Sequence, residues 1–95
     1  MIAQTSIEAY KELLPELSER QLRTLTALRR IGPANNTMIA KYTGLPINQV
    51  TGRVYELRFD KKLVGFSHSD KCPITGKRTN YWKVLDRRLK WKKRR

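Results

Sequence analysis

Residues 35–57, NNTMIAKYTGLPINQVTGRVYEL, leave few folds open. A small residue at Ala40, a permissive turn residue at Gly44 and an apolar anchor at Val50 are spaced as two short helices around a tight turn require. Asn36 is the expected cap of the first helix, which runs to about Tyr42 and offers Met38, Ile39 and Tyr42 to a core. Thr43, Gly44 and Leu45 form the turn. Pro46 suits a helix start, because it lacks the N–H that would go unsatisfied there, so the second helix is expected from 46 or 47 to about 60. Such a helix-turn-helix serves to lay its second helix in the major groove of DNA.

On that second helix, Val50, Val54 and Leu57 fall within about 60° of one another and form the core seam. Asn48, Gly52 and Tyr55 then lie opposite, with Gln49 and Thr51 on the flanks. A merely solvated face would more often carry Glu and Lys. Asn, Gln and Thr can read base edges, Asn and Gln pairing bidentately with adenine, which makes Asn48, Gln49, Thr51, Gly52 and Tyr55 the candidate base-reading set. Gly52 costs about 1 kcal/mol relative to Ala in mid-helix, which close approach to a DNA backbone or to another helix would justify. Arg53 and Arg58 sit toward the sides, where phosphate contacts are expected, and Asn36 and Thr37 are assigned to the backbone as well.

The charge supports a polyanionic partner. The chain has 95 residues, a net charge of +13 and a pI near 10.5. Residues 1–30 hold five Lys or Arg against four Glu, net +1, and residues 31–95 hold 16 basic against four acidic groups, net +12. The positive field therefore lies on the expected reading half. One small domain of this size buries only roughly 60% of its unfolded surface, which leaves little room for an enclosed active site. His68 is the only histidine, and Glu56, Asp60, Asp70 and Asp86 stand without metal or acid–base spacing, so no catalytic residue, metal or cofactor is expected. Cys72 is alone and forms no intrachain disulfide; it is read as an ordinary thiol in a reducing cytosol. With no apolar run near 18 residues and no leader pattern, a chain without membrane contact is expected, cytoplasmic and either nucleoid-associated or, if phage-encoded, in the host cytoplasm.

The flanking segments read as support. A capping box at Thr5-x-x-Glu8 opens a helix with Ile7, Tyr10, Leu13 and Leu14 on one face, and Pro15 interrupts it. A second box, Ser18-x-x-Gln21, with Leu17 and Leu22 placed as a hydrophobic staple, opens a helix presenting Leu22, Leu25, Leu28 and Ile31 until Gly32-Pro33. Both are expected to bury the back of the helix-turn-helix. After Lys61-Lys62 the period changes to two: Val64, Phe66 and His68 alternate with Gly65, Ser67 and Ser69, and Trp82 and Val84 alternate with Tyr81, Lys83 and Leu85. Two strands and the loop DKCPITGKR make a hairpin whose Lys71, Lys77 and Arg78 are placed to reach phosphates or a flanking minor groove. His68 is expected to pack on the hairpin strand. Residues 86–95, DRRLKWKKRR, cannot fold alone against their own repulsion. They are either a solubilising tail or an arm along the phosphates carrying Arg87, Arg88, Lys90 and Lys92, with Trp91 able to stack.

The order helix, helix, helix-turn-helix, hairpin resembles the winged helix-turn-helix family: mainly α, with three to four helices and a two- or three-stranded wing over 1–85 and the basic tail over 86–95. AKYTGLPINQVTGRVYEL resembles its MarR-like branch, and the LSERQ…IGPANN lead-in with CPITGKR in the wing is similar to small winged-helix proteins of phages and prophages. The resemblance implies base-facing roles for Asn48, Gln49, Thr51, Gly52 and Tyr55 and backbone roles for Lys77 and Arg78. Arg53 stands where MarR-like helices usually carry an apolar residue, and five residues separate Leu57 from Leu63 without the usual Gly, which implies a longer or irregular helix end. The long terminal helices that dimerise MarR-like proteins are absent, so a monomer or a weak, DNA-induced homodimer is expected. Double-stranded DNA is the leading partner, for a small transcriptional regulator or phage-encoded DNA factor. RNA in a ribonucleoprotein, or an acidic protein surface bound by an antirepressor-like module, are the alternatives.

Overall fold

The computed structural model describes residues 4–85. The Thr5 side chain expected to cap the first helix, and the tail with Arg87, Arg88, Lys90, Trp91 and Lys92, lie outside the described residues. Helix α1 (Gln4–Leu13) stops before Pro15, whose ring cannot continue a helix. Tyr10 and Leu14 are buried, whereas Leu13, expected beside them, is 45% exposed. Adjacent helical residues point about 100° apart, so Leu13 and Leu14 cannot both face α2 (Glu19–Ile31).

The second capping box forms as read: Ser18 Oγ accepts the Gln21 N–H at 3.2 Å, and Gln21 Oε1 accepts the Ser18 N–H at 2.9 Å. Leu17 and Leu22 of the staple are both buried. Helix α2 is the centre of the domain, touching α1, the two helices of the motif and the second strand. More than one of its faces is therefore covered, and Thr24, Thr26 and Ala27 are buried along with Leu22, Leu25 and Leu28. Thr24 tolerates this because its hydroxyl donates to the Arg20 carbonyl at 2.9 Å.

Helices α3 (Asn36–Thr43) and α4 (Ile47–Tyr55) are joined at Gly44, which adopts the left-handed conformation (φ 81°, ψ 3°) and donates its N–H to Ala40 at 2.8 Å. The cap of α3 differs from expectation. Asn35 accepts the Met38 N–H at 2.9 Å, and Asn36 is the first helical residue. Pro46 precedes α4 as expected, and Val50, Val54 and Leu57 are all buried. Helix α4 closes in a π-helical turn, Glu56–Asp60, sealed by the Lys61 N–H on the Glu56 carbonyl at 3.0 Å. The reversal that usually takes a glycine falls to Lys62, at φ 57°.

Strands β1 (Val64–Lys71) and β2 (Arg78–Val84) form an antiparallel hairpin. Its register shifts between Phe66 and His68, a bulge that breaks the simple alternation read from the sequence. Neighbours Tyr81 and Trp82, on opposite faces of β2, are both covered. Trp82 joins the core, and Tyr81 stacks on His68 (centroids 4.6 Å) and donates its hydroxyl to the Lys71 carbonyl at 2.7 Å. Ala34, between α2 and α3, exchanges both backbone hydrogen bonds with Trp82, at 3.1 and 2.9 Å. This one-residue bridge ties the wing to the helices and completes a winged-helix arrangement. No helix among the described residues is long and apolar enough to cross a membrane.

Candidate nucleic-acid interface

Val50, Val54 and Leu57 anchor α4 to the core, and this fixes what the helix shows outside. Asn48, Thr51 and Tyr55 are exposed. Thr51 returns its hydroxyl to the Ile47 carbonyl at 3.0 Å, and the Asn48 carboxamide oxygen accepts the Gln49 N–H at 3.0 Å, leaving the Asn48 amide nitrogen on the outer side of that contact. Gln49 is half-buried, with its Oε1 enclosed and unpartnered, so of the five expected readers it is the one turned inward. At Gly52 the helix-packing reading falls away: a Cβ built on it would meet nothing within 4 Å. No helix packs against it, so packing within the described residues gives no reason for glycine there.

Asn36 is a junction. Its Nδ2 donates to Thr51 Oγ1 at 3.3 Å, and its Oδ1 accepts the Trp82 indole N–H at 2.9 Å. One side chain thus joins α3, α4 and β2, which explains why the neighbouring Asn35 does the capping. The Asn36 carboxamide is committed inside the protein, while the half-buried Thr37 lies beside it in the first turn of α3.

The two arginines of α4 are also engaged. Arg53 Nε and Nη2 donate to Glu56 Oε1 and Oε2 at 2.9 and 2.8 Å, and Gln21 of α2 donates to the same carboxylate at 2.7 Å. This clasp accommodates an arginine where an apolar residue was expected, because its charge is paired with Glu56, which Gln21 of α2 holds in turn. The hydrogen bonds from Arg53 and then from Gln21 hold the Glu56 carboxyl below its ordinary pKa. Arg58 lies half-buried with its guanidinium 4.2 Å over the Trp82 ring and 4.5 Å over Phe59.

At the wing tip, Lys71, Lys77 and Arg78 are exposed. The tip is held by reciprocal bonds of Cys72, whose N–H donates to the Lys77 carbonyl at 2.8 Å and whose carbonyl accepts the Gly76 N–H at 2.7 Å. The buried Cys72 thiol is lowered to about 7, first by the Thr75 backbone N–H, with smaller help from the Thr75 side chain, Ile74 and the Asn35 carboxamide. It is a free, buried thiol at the base of the wing loop. Among the described residues no group of three or more His, Cys, Asp or Glu could hold a metal ion.

Three residues of this surface escaped sequence reasoning: Trp82 as the hub, and Phe59 and Phe66, 51% and 53% exposed. Only the missing glycine after Leu57 hinted at the irregular turn that carries Phe59. The chain matches no protein-family model and no curated protein.

Proposed function

We propose that this protein is a sequence-preferring double-stranded DNA-binding module, a small transcriptional regulator or phage-encoded DNA factor with no catalytic role, acting in the cytoplasm. The first half of α4 enters the major groove, and the basic wing follows the backbone or the adjacent minor groove. The observation that carries this reading is the outer face of α4. It is uncharged and polar at Asn48 and Thr51, and it is interrupted by a glycine that the fold does not need. A face built for solvent alone would carry Glu or Lys and would fill position 52. With Arg53 and Arg58 held within the protein, affinity falls chiefly to Lys71, Lys77 and Arg78 of the wing together with the basic tail residues Arg87, Arg88, Lys90 and Lys92, and selectivity to Asn48, Thr51 and Tyr55.

Selection of bound sequences from a random duplex pool, repeated with Asn48→Ala plus Thr51→Ala, tests this. The native chain should enrich a defined sequence, and the variant should lose that enrichment while keeping most of its total duplex affinity. Unchanged enrichment in the variant excludes base reading by α4. Stronger binding to structured RNA than to duplex DNA moves the function to the ribonucleoprotein alternative.

A further inference from the structure

The outer face of α4 changes character halfway along. Beyond the polar first half stand Tyr55 and Phe59, 59% and 51% exposed, their rings 4.7 Å apart and tilted by 52°. The Arg58 guanidinium continues from Phe59 to Trp82, and Phe66, 53% exposed on β1, meets Trp82 edge-on at 6.3 Å. Single exposed apolar side chains are common on protein surfaces. Tyr55, Phe59 and Phe66 stand exposed along a strip of ring contacts that passes through the half-buried Arg58 and the buried Trp82, from the helix across to the wing.

A closed duplex has no use for Phe59 and Phe66, because its base faces are hidden by stacking. A second copy of the chain would have to bring together two bodies of charge +13. Unpaired bases fit both requirements: their flat faces match the exposed rings, and their phosphates match Lys61 and Lys62, which follow Phe59 in the chain. We infer that the exposed rings of Phe59 and Phe66, backed by Arg58 and the buried Trp82, stack unpaired bases of a DNA strand that adjoins the bound duplex, with Tyr55 left to the duplex. The inference rests on the duplex reading above and extends it: the substrate is a junction, with paired DNA on the first half of α4 and the open strand on the aromatic half.

The test uses the full chain and three labelled DNAs of arbitrary sequence, read by fluorescence anisotropy: a blunt duplex, the same duplex with a single-stranded extension of about ten nucleotides, and that extension alone. The extension should raise affinity about tenfold over the blunt duplex. Phe59→Ala plus Phe66→Ala should abolish that gain and leave blunt-duplex binding unchanged. Phe59→Leu plus Phe66→Leu, which keep apolar volume without a π face, should abolish it too. Equal affinity for blunt and extended DNA overturns the inference while the duplex reading stands. Binding of the extended DNA and the lone strand without the blunt duplex overturns the duplex reading and supports the strip. Retention of the gain by the leucine variant overturns stacking. A monomer–dimer equilibrium that the alanine variant abolishes assigns the strip to a second copy instead.

Discussion

Two residues carry backbone costs that substitution can expose. Lys62 occupies the left-handed region at φ 57°, which costs an L-residue about 1–2 kcal/mol, against the 0.4–1 kcal/mol or so of extra unfolded-state entropy that a glycine brings. Lys62→Gly should therefore stabilise the protein by about 0.5–1 kcal/mol, seen as a higher urea midpoint at unchanged slope. Gly52 presents the opposite case, with open space where a side chain would sit. Gly52→Ala should raise stability by about 1 kcal/mol and weaken duplex binding, so that thermal unfolding and DNA titration move in opposite directions. If both rise together, the glycine has no role in binding. Position 52 was legible in the sequence as an anomaly, but its two readings could be separated only once the space around it was known. The cap of α3 was legible only as a choice between two adjacent asparagines. Trp82, 46 residues along the chain from Asn36, decides it by taking Asn36 as its acceptor.

Among the elements, those announced by local chemistry were legible: α2 from its box and staple, the turn from Gly44, and the seam of α4 from its spacing. The π turn after Tyr55 and the bulge after Phe66 were not, since both arise where distant segments meet and neither leaves a compositional mark. Phe59 lies within the one and Phe66 borders the other, so the exposure of both was hidden with them. The clasp between α2 and α4 makes an acid-sensitive joint. Glu56 has a folded-state pKa below its unfolded value because Arg53, then Gln21, donate to it; its contribution is complete above the ordinary glutamate range and is lost as pH falls through the depressed value. For a pair this close to solvent the contribution is about 0.5–1 kcal/mol. Glu56→Gln should lower the thermal midpoint at neutral pH and flatten its decline on acidification. A parallel decline in both proteins would show that the clasp contributes nothing.

For the whole molecule, net +12 lies in residues 31–95, yet the outer face of α4 from Asn48 to Thr51 carries none of it. If roughly six phosphates are contacted, log affinity should fall against log salt with a slope of about −5, and a slope near zero would exclude backbone binding. Lys77→Ala with Arg78→Ala should reduce that slope by about 2 while leaving the selected sequence unchanged, as expected of side chains that hold phosphates and do not read bases. Order along the chain and the charge split were readable without coordinates, but the attachment of wing to helix was not. That attachment is Asn36, bonded on one side to Thr51 and on the other to Trp82, with Ala34 bridging the same strand. Fixed in this way, the reading helix and the wing behave as the two jaws of a set caliper. If the proposed duplex reading holds, a gap set in this way makes a site that offers major and minor grooves at the matching separation the preferred one, and groove width becomes part of the sequence read.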